Sequence, residues 1–174
     1  MHECIIQLSE RPLAAAEYIT ENYFDYDHWF MTQIADSVSE IEDRDDVLDA
    51  FRTLPERQNR FAGLFVPFKD EFGEGFVLRD GFKQMYFGQR YADFKEALND
   101  LCNNNTLEWF IDPLSRDGVK MLNCMRRLGE AWRDEFGTYV IEDYGDDPIT
   151  FDDFVRSAKC DKKYYYGGIL DYRS

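Results

Sequence analysis

The side chains with the most chemistry to offer in this sequence are its carboxylates. Thirty-five Asp and Glu stand against 20 Lys and Arg in 174 residues, a formal net charge of −15. Residues 1–49 carry 13 acidic and 2 basic side chains, residues 50–133 carry 12 and 13, residues 134–153 carry 8 and none, and residues 154–174 carry 2 and 5. Two runs are densest. Asp36, Glu40, Glu42, Asp43, Asp45, Asp46 and Asp49 have Arg44 alone among them, while Glu142, Asp143, Asp146, Asp147, Asp152 and Asp153 have no basic residue among them. Like charges this close repel, so a folded chain that keeps them has either a solvated acidic face or a surface that docks on a basic partner. Paired carboxylates also catalyse glycoside hydrolysis, which needs only two acids at a set distance. With this many acids no pair stands out, and the sequence names no catalytic residue.

Other chemistry is scarce. His2 lies near the N-terminus, and His28 lies in Asp25-Tyr26-Asp27-His28-Trp29 with no second His or Cys nearby. A zinc site needs three or four ligands at workable spacing, so a hydrogen-bonded His beside a Trp is the expectation. No calcium loop, Walker lysine motif, G-x-G-x-x-G or G-x-S-x-G elbow is present. The sequence therefore predicts no metal site and no cofactor. Cys4, Cys102, Cys124 and Cys160 form no CxxC pair, and reduced, mostly buried thiols are expected, with Cys102 and Cys124 near the apolar faces of helices. Cys160, near Lys159, Lys162 and Lys163, has the most electropositive surroundings.

Direct nucleic-acid binding fits poorly, because phosphate contacts need clustered Lys and Arg. The basic clusters are Arg126-Arg127 and Lys162-Lys163, the second beside Tyr164, Tyr165 and Tyr166, which could stack on a single strand. No apolar run approaches the roughly 20 residues of a membrane helix. The N-terminal MHECIIQLSERP contains Glu3 and Glu10 and has too short an apolar stretch for a signal peptide, so a cytoplasmic, membrane-free protein is expected.

The charge must be positioned by a folded core. Hydrophobic residues are 44% of the chain, with 15 Phe and 11 Tyr, enough for one domain over residues 1–174. Cys4 to Leu8 reads as a buried strand. Leu13 to Ile19 is helix-competent, and the spacing of Phe30, Ile34, Val38 and Ile41 predicts a helix. A second helix follows with Val47, Leu48, Phe51 and Leu54 buried and Pro55 just past its end, so the first acidic run would span a helix-to-helix junction. Phe61 to Phe68 and the residues after Phe72-Gly73-Glu74-Gly75 read as a β-hairpin. Residues 82–88 are ambiguous. Residues 89–102 read as an amphipathic helix with Tyr91, Phe94, Leu98 and Leu101 on its apolar face. Leu107 to Asp112 fits a strand or a helical turn. A helix over Asp117 to Asp134 would bury Met121, Met125, Leu128 and Trp132. Thr138 to Glu142 reads as a strand, Thr150 with Asp153 caps a helix over 151–159, and the C-terminus reads as two short strands joined at Gly167-Gly168. The sum is an α+β domain with a mainly antiparallel sheet and about four to six helices.

Three functions remain. The first is a non-enzymatic binding protein whose acidic face engages a basic protein surface, in its specific form a mimic of nucleic acid occupying a nucleic-acid-binding protein. In size and charge the chain is similar to small acidic anti-restriction and anti-CRISPR proteins, a likeness of composition with no shared motif. The second is a small enzyme using carboxylate chemistry. The third is a structural or assembly module, a homodimer through an exposed aromatic patch.

Overall fold

The structure is a computed structural model that describes residues 3–41, 43–133, 137–142 and 146–174. They group into two compact units, one of residues 1–82 with 134–174 and one of residues 83–133.

The first unit is built on a mixed sheet. Its strands are β1 (Cys4–Ser9), β2 (Ser37–Glu40), β3 (Phe65–Asp70), β4 (Gly73–Leu78), β5 (Thr138–Ile141), β6 (Ile149–Thr150) and β7 (Lys163–Arg173). The order is β3-β4-β7-β1-β5-β6, with β2 also paired to β7. The β1–β5 pairing is parallel and the others are antiparallel, so the α+β architecture with a mainly antiparallel sheet is the one observed.

Strand β7 is the hub, and it corrects the expectation of two short strands meeting at Gly167-Gly168. It runs unbroken for 11 residues. Ile6 pairs with Ile169 but Leu8 pairs with Tyr166, so Gln7 faces both glycines across a β-bulge. A Cβ on Gly168 would stand 2.4 Å from the Ile19 carbonyl oxygen, and one on Gly167 would stand 2.5 Å from Gln7 Oε1. The glycines are there for close approach, not for a turn. The Gln7 side chain completes the junction: Oε1 accepts from the backbone N–H of Ile19 and of Gly168, both at 3.0 Å, and Nε2 donates to the Glu17 carbonyl at 3.1 Å. Arg44 Nη1 donates to the Gly167 carbonyl at 2.6 Å.

Both sheet faces are covered. On one, Phe51 of α2 (Arg44–Arg52) and Phe151 and Phe154 of α7 (Phe151–Ser157) pack on Phe76, Tyr164 and Tyr166. On the other, Ile19, Phe24 and Phe30 pack on Ile5, Ile141, Leu170 and Tyr172. Phe30 belongs to the short α1 (Trp29–Gln33). The predicted helix over Phe30 to Ile41 therefore breaks after one turn. Asp36 N–H donates to the Arg173 carbonyl, and Val38 pairs with Tyr172 as part of β2. Ladder pairing along β7 outweighs the helical spacing. Leu13 to Ile19 forms only a 3-10 turn at Ala15–Glu17, because Gln7 claims the Glu17 carbonyl and the Ile19 N–H. Pro55 lies past the end of α2, as expected, but within the first turn of a further short helix, α3 (Leu54–Arg57). The buried stripe of Val47, Leu48, Phe51 and Leu54 is as expected. The hairpin is also present, as β3 and β4, although Phe61 lies before it in a 3-10 turn. Thr150 caps α7, accepting from the Asp153 N–H at 3.1 Å.

The second unit is helical, with α4 (Phe82–Asn104, its first residue in the first unit), α5 (Leu107–Ile111) and α6 (Arg116–Glu130). Among the described residues the chain thus has seven α-helices, more than the sequence suggests. The apolar faces also differ. Ala97 is buried in α4, whereas Tyr91 and Leu98 are exposed. In α6 the buried residues are Gly118, Met121 and Cys124, while Met125 is exposed; the helix ends at Glu130, and Trp132, past that end, is exposed as well. The apolar arc of α6 is wider than the surface it packs against, and periodicity alone does not say which part is covered.

Candidate functional site

Nine of the eleven described acidic candidates are solvent-exposed: Asp36, Glu40, Asp43, Asp45, Asp46, Asp49, Asp146, Asp147 and Asp153. Glu142 is half-buried and Asp152 is buried, with its carboxylate 3.7 Å from Arg156. Glu42 and Asp143 lie outside the described residues.

The first run straddles the junction between β2 and α2 rather than the helix-to-helix junction expected. Asp36 and Glu40 flank β2 at its start and end. Asp43 is the N-cap of α2, its carboxylate accepting from the Asp46 N–H, and Asp45 and Asp46 occupy the first turn, where the positive end of the helix dipole favours them. Asp45 and Asp49 are one helical step apart and share Arg52, at 3.4 and 2.7 Å. Arg52 also reaches Glu74 on β4 at 2.7 Å, so one guanidinium serves three carboxylates. These hydrogen bonds push its pKa above the ordinary arginine value. Among the described residues, no ion pair involves Asp36, Glu40 or Asp46.

The second run is divided. Asp153, on the first turn of α7, pairs with Arg156 at 2.6 Å. Helix α7 lies beside α2, with the rings of Phe51 and Phe151 5.9 Å apart. Asp146 and Asp147 instead join the opposite face of the sheet. Tyr23 donates to the Asp146 carbonyl, and Trp29 Nε1 donates to Asp147 Oδ1 at 2.8 Å. His28 Nε2 lies 3.5 Å from the same carboxylate, and His28 Nδ1 caps α1 by accepting from the Phe30 N–H at 3.2 Å. The fold therefore brings α2 and α7 together and takes Asp146 and Asp147 elsewhere.

Two of the clefts among the described residues are of the size that holds a small molecule. One, of about 410 Å³, lies at the C-terminal ends of the parallel pair β1 and β5 and is lined by Ser9, Glu10, Arg11, Glu142, Lys159 and Tyr164. Lys159 Nζ holds Glu10 at 2.9 Å, lowering the carboxyl pKa and raising that of the lysine. Burial raises the pKa of Tyr164, whose oxygen accepts from the Lys159 N–H. The other, of about 530 Å³, lies in the helical unit beside Asp117, Lys120, Cys124 and Arg127, with Lys120 paired to Asp117. The carboxyl pKa values of Glu10, Glu17, Asp70, Glu108 and Asp117 are moved down, chiefly through hydrogen bonds to cations or nearby donors. A general acid needs the opposite shift. Among the described residues no three His, Cys, Asp or Glu converge as a metal site.

The remaining candidates also find their places. Tyr164, Tyr165 and Tyr166 are buried in β7, and Lys163 pairs with Asp70, so this cluster offers no stacking surface. Cys4 and Cys124 are buried, Cys160 is half-buried, and Cys102, expected near an apolar face, is exposed. Sequence reasoning missed Arg52 with Glu74, and Gln7. Twenty-two residues separate the first pair, and nothing local marks it. A polar residue inside the apolar run Cys4 to Leu8 was the available signal for Gln7.

No protein-family model, curated protein or solved structure matches the chain. Among the described residues no helix is long and apolar enough to cross a membrane. The functional reading rests on this geometry.

Proposed function

We propose that this chain is a non-enzymatic binding protein whose acidic surface on β2 and α2, extended by α7, docks on a basic protein surface. The observation that carries the reading is the single guanidinium of Arg52 among Asp45, Asp49 and Glu74, with Asp43 and Asp46 exposed at the start of the same helix; Asp36 and Glu40 are exposed at β2, where Glu40 pairs with Leu170 of the other sheet face. The contact of Phe51 with Phe151 supports it by adding α7 to the same side of the sheet. In its specific form the surface stands in for nucleic acid, since carboxylates along a helix offer a row of negative charge to a groove that accepts phosphates. The four cysteines are unpaired, which agrees with a reducing cytoplasm.

Neutralising Asp36, Glu40 and Asp46 together (Asp36→Asn, Glu40→Gln, Asp46→Asn) tests the proposal without breaking an ion pair. Immobilised wild-type chain should retain nucleic-acid-binding proteins from a lysate at low salt and release them to added salt or competing duplex DNA. The triple variant should retain far less. Equal retention by both would refute the proposal.

A further inference from the structure

Among the described residues, eleven of the thirteen large apolar side chains that stand exposed belong to residues 83–133. They are organised. Leu107, Phe110 and Ile111 share one face of α5, at i, i+3 and i+4, and Leu114 stands exposed in the turn that follows. Val119, Leu122 and Met125 recur at three-residue spacing along α6, and the exposed Trp132 lies just past its end with its ring 6.0 Å from that of Phe94. The two helices meet at a tight corner, where a Cβ on Gly118 would come within 2.6 Å of the Asp112 and Pro113 carbonyl oxygens. These eight side chains are between 43% and 84% exposed. Taking roughly 200 Å² per large side chain, they present on the order of 1,000 Å² of apolar surface. The largest patch on a typical monomer is about 300–600 Å², and a stable interface takes about 800 Å² from each partner.

Charge selects the occupant. Residues 83–133 carry eight basic and seven acidic side chains, a net of +1, while the other 12 basic and 28 acidic residues give the remaining chain −16. Two copies repel wherever the acidic remainder meets. They can approach through the near-neutral helical unit, whose charges are also paired internally: Lys120 with Asp117, Arg126 with Glu130 and Arg127 with Glu96. Such a face has no net charge with which to select a foreign partner, and an isologous contact of two identical stripes matches like with like.

We infer that the α5–α6 face binds a second copy of this chain, forming a two-fold dimer. Sedimentation of the full chain should give twice its 20.6 kDa mass. The dimer should persist or tighten as salt is added, because screening weakens the repulsion between acidic surfaces and leaves apolar contact intact. Phe110→Glu with Leu114→Glu, and separately Leu122→Lys, should weaken the dimer by at least about 100-fold with unchanged far-UV circular dichroism and urea midpoint of the monomer. Three results would each overturn the inference: a wild-type monomer at about 100 µM, far above a micromolar Kd; a dimer that dissolves in salt; or a dimer that survives both variants.

Discussion

Replacing Gln7 with leucine keeps most of the side chain's bulk and deletes three hydrogen bonds. Gln7 is 1% exposed, and its partners are the N–H groups of Ile19 and Gly168 and the Glu17 carbonyl. The Ile19 and Gly168 bonds are buried, whereas the Glu17 bond is only partly so, and water can take it over. Two buried N–H groups left unpaired cost about 1–3 kcal/mol each. Burying the leucine's methyl groups returns at most about 2 kcal/mol. At the middle of these ranges the expected net loss is about 2 kcal/mol, a sizeable fraction of the roughly 5–15 kcal/mol that holds a domain together. Urea unfolding followed by circular dichroism would measure it as a lowered midpoint, with the slope kept if the same surface unfolds. Amide hydrogen exchange gives a local readout. The N–H groups of Ile19 and Gly168 should lose protection beyond what the global loss explains, because Gln7 is what ties the segment before α1 to the bulge in β7. A loss under about 1 kcal/mol, or full protection at both amides, would refute this account of the junction.

Two more predictions follow from ionisation. Hydrogen bonds from Arg11 and the Ala14 N–H hold the Glu17 carboxyl at about 2, down from 4.5, and Lys159 and Lys163 lower those of Glu10 and Asp70. A group with a depressed folded pKa stabilises above its unfolded value and loses that contribution as pH falls through the folded value. The urea midpoint should therefore fall between pH 4.5 and about 2, and Glu17→Gln should flatten that fall; an unchanged slope would count against the pairing with Arg11. Burial pushes the Cys4 thiol up to about 11, whereas Cys102 is exposed. Alkylation of native protein at neutral pH, read by mass spectrometry, should modify Cys102 first and Cys4 only on unfolding; early labelling of Cys4 would contradict its burial.

Local rules were enough where partners lie close in sequence. The β3–β4 hairpin follows from Gly73 and Gly75 between two apolar runs, and the start of α7 follows from Thr150 reaching Asp153. The stripe of Val47, Leu48, Phe51 and Leu54 was legible because the whole of it is buried. The uneven charge is likewise a property of the chain, fixed before it folds. What tertiary structure alone decided has partners far away. Gly167-Gly168 looks like a turn until Gln7 and Ile19 are seen pressed against it. Val38 looks helical until Tyr172 pairs with it across the sheet. Asp146 and Asp147 belong to the same acidic run as Asp153, yet Tyr23 and Trp29 hold them to the opposite face from α7. Helical periodicity marked an apolar arc on α6, but which part of it is covered depends on what packs there, so Met125 remains open to solvent, while Trp132 falls past the helix end. Sequence sets which side chains need burial or pairing; the rest of the fold decides which of them find it.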